Sequence, residues 1–187
     1  MKFYMKLQDW LAGPFSQKMQ KFMQNPYMHA LQVCFTIILP MIMVGSLASL
    51  VNTFRNFAPW LPDLSLINSF SFGLISIFMA FLIPYTIMES KKLQKQKMIT
   101  GFASVSALIA LANPQYVDGN LVINSGYVGT GGMTVAMVIG LVIGWLFSAY
   151  FKHGLFKKDS SLPSVVVVWF ESILIIFVLI LVCIIIG

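Results

Sequence analysis

From Ser164 to Gly187 the chain runs for 24 residues with a single charge, Glu171, set inside "VVVVWFESILII" at 165–176. A helix that crosses the hydrocarbon core of a bilayer needs about 20 predominantly apolar residues, so a run of this length is predicted to be a membrane span. Composition agrees: 58% of residues are hydrophobic, only 10% are charged, and the mean hydropathy is +0.85. A soluble domain carries about 25% charged residues. The 187 residues are enough for one compact bundle of a few helices, and no stretch is long and polar enough for a second, soluble domain.

The net charge of +6 does not point to nucleic acid, because the lysines fall in short clusters that flank apolar runs, as cytoplasmic flanks do. The two cysteines, Cys34 and Cys183, lie in apolar runs near opposite ends of the chain and read as small hydrophobes, not as a disulfide framework. No apolar region of signal-peptide type precedes Asn25, so the first span is expected to act as the insertion signal.

The chain divides into a surface segment, 1–25, and a membrane domain, 26–187. In the first, Phe3, Leu7, Trp10 and Leu11 recur at helical spacing among lysines, followed after Gly13-Pro14 by Phe15, Met19, Phe22 and Met23. This pattern predicts an amphipathic helix lying on the membrane surface. Asn25-Pro26 ends it. The first span is predicted over Ala30–Val51, the second over Ser71–Met88, the third over Met98–Ala112, the fourth over Gly129–Phe151 and the fifth from Ser164. Residues 52–70 and 113–128 read as turn-rich loops, and Lys152–Leu162 reads as a basic loop.

Eleven of the twelve basic residues (Lys2, Lys6, Lys18, Lys21, Lys91, Lys92, Lys95, Lys97, Lys152, Lys157 and Lys158) fall on one side of this arrangement, and only Arg55 falls on the other. The positive-inside rule then predicts a cytoplasmic N-terminus. Five spans put the C-terminus outside, where the chain stops at "CIIIG" as though a continuation were missing. The fold class expected is an all-α membrane protein of about five transmembrane helices.

Glu171 lies about seven residues into the fifth span, roughly 10 Å from its cytoplasmic start. An intramembrane carboxyl can mark a proton, ion or substrate path. It can equally be a structural group that is hydrogen-bonded or protonated, and no other span offers a partner charge. In "YVGTGGM", Gly129, Gly131 and Gly132 lack the Lys-Ser/Thr ending of a phosphate loop and the preceding strand of a dinucleotide fingerprint. With Ala136, Gly140 and Gly144 at four-residue spacing, they are candidates for close helix packing. Pro40 and Pro84 are candidate kinks, either beside a transport site or as ordinary spanning-helix prolines. His29 and His153 have no local metal or triad partner. Neither a catalytic residue nor a metal ligand set nor a cofactor is predicted.

The order of these features resembles a known family. "LQVCFTIILPMIMVGSLASLVN", with Pro40, Gly45 and Ser46, is similar to the first span of the IIC permeases of the phosphoenolpyruvate-dependent sugar phosphotransferase system, lactose/cellobiose (diacetylchitobiose) branch. "GLISIFMAFLIPYTIMESKKL", "GYVGTGGMTVAMVIGLVIGWLF" and "SLPSVVVVWFESIL" resemble its second, fourth and fifth spans, with Leu162-Pro163-Ser164-Val165 and Phe170 matching the last. The family's following proline is replaced by Ile175 and Ile176. The resemblance covers the N-terminal half of such a permease, which in the family forms the dimer interface and scaffold. The family's sugar-binding histidine and glutamate belong to the other half, so the resemblance implies a scaffold role for Glu171. It implies a truncated or split permease, inactive alone, in the bacterial cell membrane. Its partners are the lipid bilayer, itself or a full-length IIC, a separate C-terminal half and a cytoplasmic IIB protein, with a β-linked disaccharide as substrate. Two rivals stand beside it: a non-catalytic scaffold that dimerises through the small-residue face of the fourth span, and a small ion-coupled transporter using Glu171.

Overall fold

The computed structural model describes residue 13 and residues 16–112, 114–153 and 164–186. It is mostly helical, and three of the described helical stretches, Pro26–Arg55, Ser65–Ser90 and Thr130–Lys152, are long and apolar enough to cross a membrane. The elements in chain order are α1 (Ser16–Met23), α2 (Pro26–Arg55), α3 (Ser65–Ser71), a 3-10 turn (Phe72–Leu74), α4 (Ile75–Ser90) and α5 (Lys97–Leu111). A hairpin of β1 (Gln115–Val117) and β2 (Asn120–Val122) follows, then α6 (Ser125–Val128), a second 3-10 turn (Thr130–Gly132), α7 (Met133–His153) and α8 (Ser164–Ile186).

Local chemistry sets the element ends. Pro26 opens α2 with its φ already helical and no N–H to satisfy, while Asn25 Oδ1 accepts the N–H of Tyr27 at 3.0 Å. Asn25-Pro26 thus starts the helix whose entry the sequence marked only as a break. At the other end of α2, Asn52 Oδ1 accepts the N–H of Leu64 and Asp63 Oδ1 that of Ser65, both at 2.9 Å, which turns the chain directly into α3. The loop expected over 52–70 is therefore shorter, and its last residues are helical. The chain leaves α4 by a Schellman closure: Lys92 sits at φ 61, Leu93 N–H donates to Met88 C=O at 2.9 Å, and Lys92 N–H donates to Glu89 C=O at 3.0 Å.

The loop expected over 113–128 is corrected too. Asp118 (φ 51) and Gly119 (φ 77) form a two-residue turn of the type that matches strand twist, and Tyr116 pairs with Leu121 across the antiparallel ladder. Asp-Gly between apolar residues carries this signal in the sequence itself. The protein is thus mainly, not wholly, helical.

The bundle is organised around α4, which packs against α2, α5 and α7, while α8 packs on α5. Ile75, Met79, Ala80, Ile83, Pro84, Ile87 and Met88 of α4 are all buried and form one broad face of the helix that contributes to the core. Successive short connections give the bundle two ends. Pro26, Ser90, Lys97 and Lys152 lie at one, the lysine end, and Arg55, Ser65, Leu111 and Thr130 lie at the other, the hairpin end. Helix α5, at 15 residues, rises about 22 Å, short of a ~30 Å hydrocarbon core. Of α8, Ile175–Ile185 is the apolar portion whose side chains are described. Helices α2 and α4 run on through Pro40 and Pro84. Phe3, Leu7, Trp10 and Leu11, and most of the basic loop after Lys152, lie outside the described residues; α1 is the part of the surface segment that is described.

Candidate functional site

Two helices are interrupted at the hairpin end, and their interruptions face each other. In the second apolar stretch α3 passes through the 3-10 turn Phe72–Leu74 before α4 begins; in the next, the short α6 gives way to an extended Gly129 and the turn Thr130–Gly132 before α7. Across the gap the buried Ser76 hydroxyl of α4 donates to the Gly129 carbonyl, a contact between residues 53 apart in sequence. The prolines are not where these breaks occur.

Close backbone approach explains the glycines at the second break. A Cβ on Gly132 would stand 1.8 Å from the Tyr127 carbonyl oxygen and 3.0 Å from Ser76 Oγ, and one on Gly131 would stand 2.8 Å from the Gly126 carbonyl oxygen. Only a residue without a side chain leaves those carbonyls room. Asn124 Oδ1 accepts the Gly126 N–H at 2.9 Å and fixes the start of α6.

Between the breaks lies an open cleft of about 700 Å³, within the range of small-molecule sites. Its polar lining consists of Asn68, Ser69, Thr130 and the backbone of the glycine turn, beside Phe70 and Phe72. Asn68 Oδ1 is buried and has no hydrogen-bond partner, an arrangement that favours a ligand able to donate to it. Among the described residues, the lining contains no carboxyl, amine, imidazole or thiol. The uncharged hydroxyl, amide and backbone groups of this lining suit it to binding a neutral, hydroxyl-bearing or amide-bearing molecule. No group of three His, Cys, Asp or Glu among the described residues could hold a metal ion.

The six small residues singled out in the sequence separate into two roles. Gly129 and Gly131 line the cleft, and Gly132 is packed beneath the Tyr127 carbonyl beside them. Ala136, Gly140 and Gly144 are buried against α4, where a Cβ on Gly140 would stand 2.9 Å from Ile83 Cβ and one on Gly144 would stand 2.6 Å from Ile87 Cδ1. That face is filled from within the chain by α4. Pro84 sits in the same contact, with Cδ 3.3 Å from the Gly140 Cβ position, whereas Pro40 is exposed on α2. Glu171 falls within α8 by its backbone, and its side chain lies outside the described residues. His29 is exposed at the start of α2, and the side chain of His153 lies outside the described residues.

Sequence reasoning missed Asn68 and Ser76. The signal for the first was the small-residue cluster "NSFSFG" at 68–73, divided between the loop 52–70 and the start of the second span at Ser71 when it marks a helix interruption.

Compared with known proteins, the chain matches no family model, no curated protein and no solved structure.

Proposed function

We propose that this chain is the N-terminal, scaffold-forming portion of a IIC-type sugar permease of the phosphotransferase system, held in the bacterial cell membrane by five helices with its N-terminus in the cytoplasm. The observation that carries this reading is the meeting of two interrupted helices around an uncharged polar cleft at the end of the bundle away from the lysines. Interrupted helices are tolerated at membrane depth where they line a cavity, and transporters use them to present backbone groups to a solute. An uncharged lining suits a neutral sugar better than an ion. Eleven of twelve basic residues on one side support the orientation, which makes the cleft an outward-facing mouth. The order of motifs along the chain supports the family.

In this reading the principal sugar site and the contact with a IIB protein reside in a complementary C-terminal half, and this portion supplies the frame. The test is phosphoenolpyruvate-driven phosphorylation of a panel of β-linked disaccharides by membranes from cells with and without the intact gene. Loss of phosphorylation for one sugar on deletion is expected, together with no uptake by vesicles holding these 187 residues alone. Unchanged phosphorylation of every sugar tested removes the permease assignment.

A further inference from the structure

The lysine end of the bundle carries a second cavity, of about 560 Å³, that no part of the cleft described above uses. It lies where the start of α2, the end of α4 and the last turns of α7 meet. Its polar side chains are Tyr27, Lys91, Trp145, Ser148 and Lys152.

The hydrogen bonds already made there leave a surplus of one kind. Lys91 Nζ donates to Tyr27 Oη at 2.8 Å and to Ser148 Oγ at 2.7 Å, and lies 4.7 Å from the centre of the Tyr27 ring. Ser148 passes its own proton to the Trp145 carbonyl at 2.9 Å. An ammonium has three N–H donors, so Lys91 keeps one. The Tyr27 oxygen accepts from the lysine, and its O–H remains to be given. Lys152 is exposed at the rim, and the Trp145 indole can only donate.

What remains on Tyr27, Lys91, Trp145 and Lys152 is therefore a donor, Ser148 having given its own to Trp145, and two of the five are cationic. No described carboxylate neutralises them: Glu89 is engaged by Lys97 at 2.8 Å, Asp63 by Arg55 at 2.9 Å, and Asp118 sits in the hairpin turn at the far end. Two ammonium groups and a phenol converging on one cavity are matched by an oxyanion with several acceptor oxygens, for which charge-assisted hydrogen bonds are short and strong.

We propose that this cavity binds a phosphate group, supplied either by an anionic lipid headgroup or by a soluble phosphate. Trp145, 56% exposed on the outer side of α7 beside Lys152, gives the cavity the aromatic and basic rim found where spanning helices meet headgroups. A phosphate held there accepts from Tyr27 on α2, Lys91 at the end of α4 and Lys152 on α7, and so ties three helices together. Occupancy raises the melting temperature by mass action.

The test uses the full chain in nanodiscs of phosphatidylcholine. One arm replaces part of the lipid with phosphatidylglycerol and reads retained phosphatidylglycerol by native mass spectrometry; the other adds inorganic phosphate and reads the melting temperature against the same ionic strength of sodium chloride. Lys152→Gln is expected to weaken binding about tenfold, the worth of one charge-assisted hydrogen bond. Tyr27→Phe, which keeps the ring under Lys91, is expected to weaken it several-fold. Lys21→Gln removes an exposed charge from α1, outside the cavity, and is expected to leave binding within about twofold of the parent. Retention of phosphatidylglycerol lost in Lys152→Gln identifies the lipid as the source, and a phosphate-dependent melting shift lost in the same variant identifies a soluble phosphate. No binding in either arm, or equal loss in Lys152→Gln and Lys21→Gln, overturns the proposal.

Discussion

Helix α2 and the stretch Ser65–Ser90 are alike in sequence: both are apolar on every face, both contain a proline, and both are long enough to cross a membrane. Their positions are opposite. Ile83 on α4 is fully buried, as are its neighbours one turn away on either side, whereas Met43 and Leu47 of α2 are 63% and 64% exposed. Between apolar helices in lipid there is no water to expel, so packing and shape decide which helix sits centrally. The centre went to α4 because its partner α7 offers Ala136, Gly140 and Gly144, which let Ile83, Pro84 and Ile87 approach the α7 backbone closely. Helix α2 has Gly45 alone in comparable contact, and its neighbour there is the edge of the Phe72 ring.

The sharpest way to break this contrast is Gly140→Leu. A Cβ there already stands 2.9 Å from Ile83 Cβ and 3.3 Å from Pro84 Cδ, atoms close to a helix backbone that cannot swing aside. A loss of about 3 kcal/mol or more is expected, measured by thermal unfolding in detergent. The reporter is Cys34, a free thiol in the core that reacts with a dye as the bundle opens. Next in size comes a pair. Ile83→Ala leaves a cavity on the central helix and should cost about 2–4 kcal/mol, while Met43→Ala on the exposed face of α2 should stay within about 0.5 kcal/mol. Equal losses in the two would mean that the outer face of α2 is packed against another protein and not against lipid.

The smallest effect belongs to the turn that joins the two helices. The Ser65 backbone N–H, then the Ser65 side chain, and then the Arg55 guanidinium hold the Asp63 carboxyl below its ordinary value. A carboxyl depressed in the folded state contributes stability above its unfolded value of about 3.9 and loses it as pH falls through the folded value. Unfolding followed from pH 7 downward should therefore show a small decline confined to acid below about pH 4, absent in Asp63→Asn. Both partners of the Arg55–Asp63 pair are about half exposed, so water screens most of the interaction.

Much of this was legible along the chain. Runs of apolar residues between lysine clusters give helix positions to within a few residues, because hydrocarbon thickness and backbone hydrogen bonding leave few alternatives. The small-residue spacing from Ala136 to Gly144 is legible as a close contact, though not which helix would fill it. The cleft was not legible. Asn68 and Ser76 are ordinary polar residues in an apolar stretch, and the partner of Ser76 lies 53 residues away; the glycine turn reads as punctuation until Tyr127 and Gly126 are folded back over it. The hairpin was readable from Asp118-Gly119, a turn signal that operates between neighbours.

What the sequence determined by itself is what depends on local patterning: apolar helices suited to a bilayer, their ends at Asn25-Pro26 and at the lysine cluster, and a strong bias of charge to one side. The tertiary structure alone decided which apolar helix became the core, that two helix interruptions face each other across an uncharged cleft, and that Lys91 reaches Tyr27 and Ser148 from 64 and 57 residues away. The physical reason is the same in each case: these features are set by the distance between backbones, and that distance is a property of the packed bundle, not of any one segment.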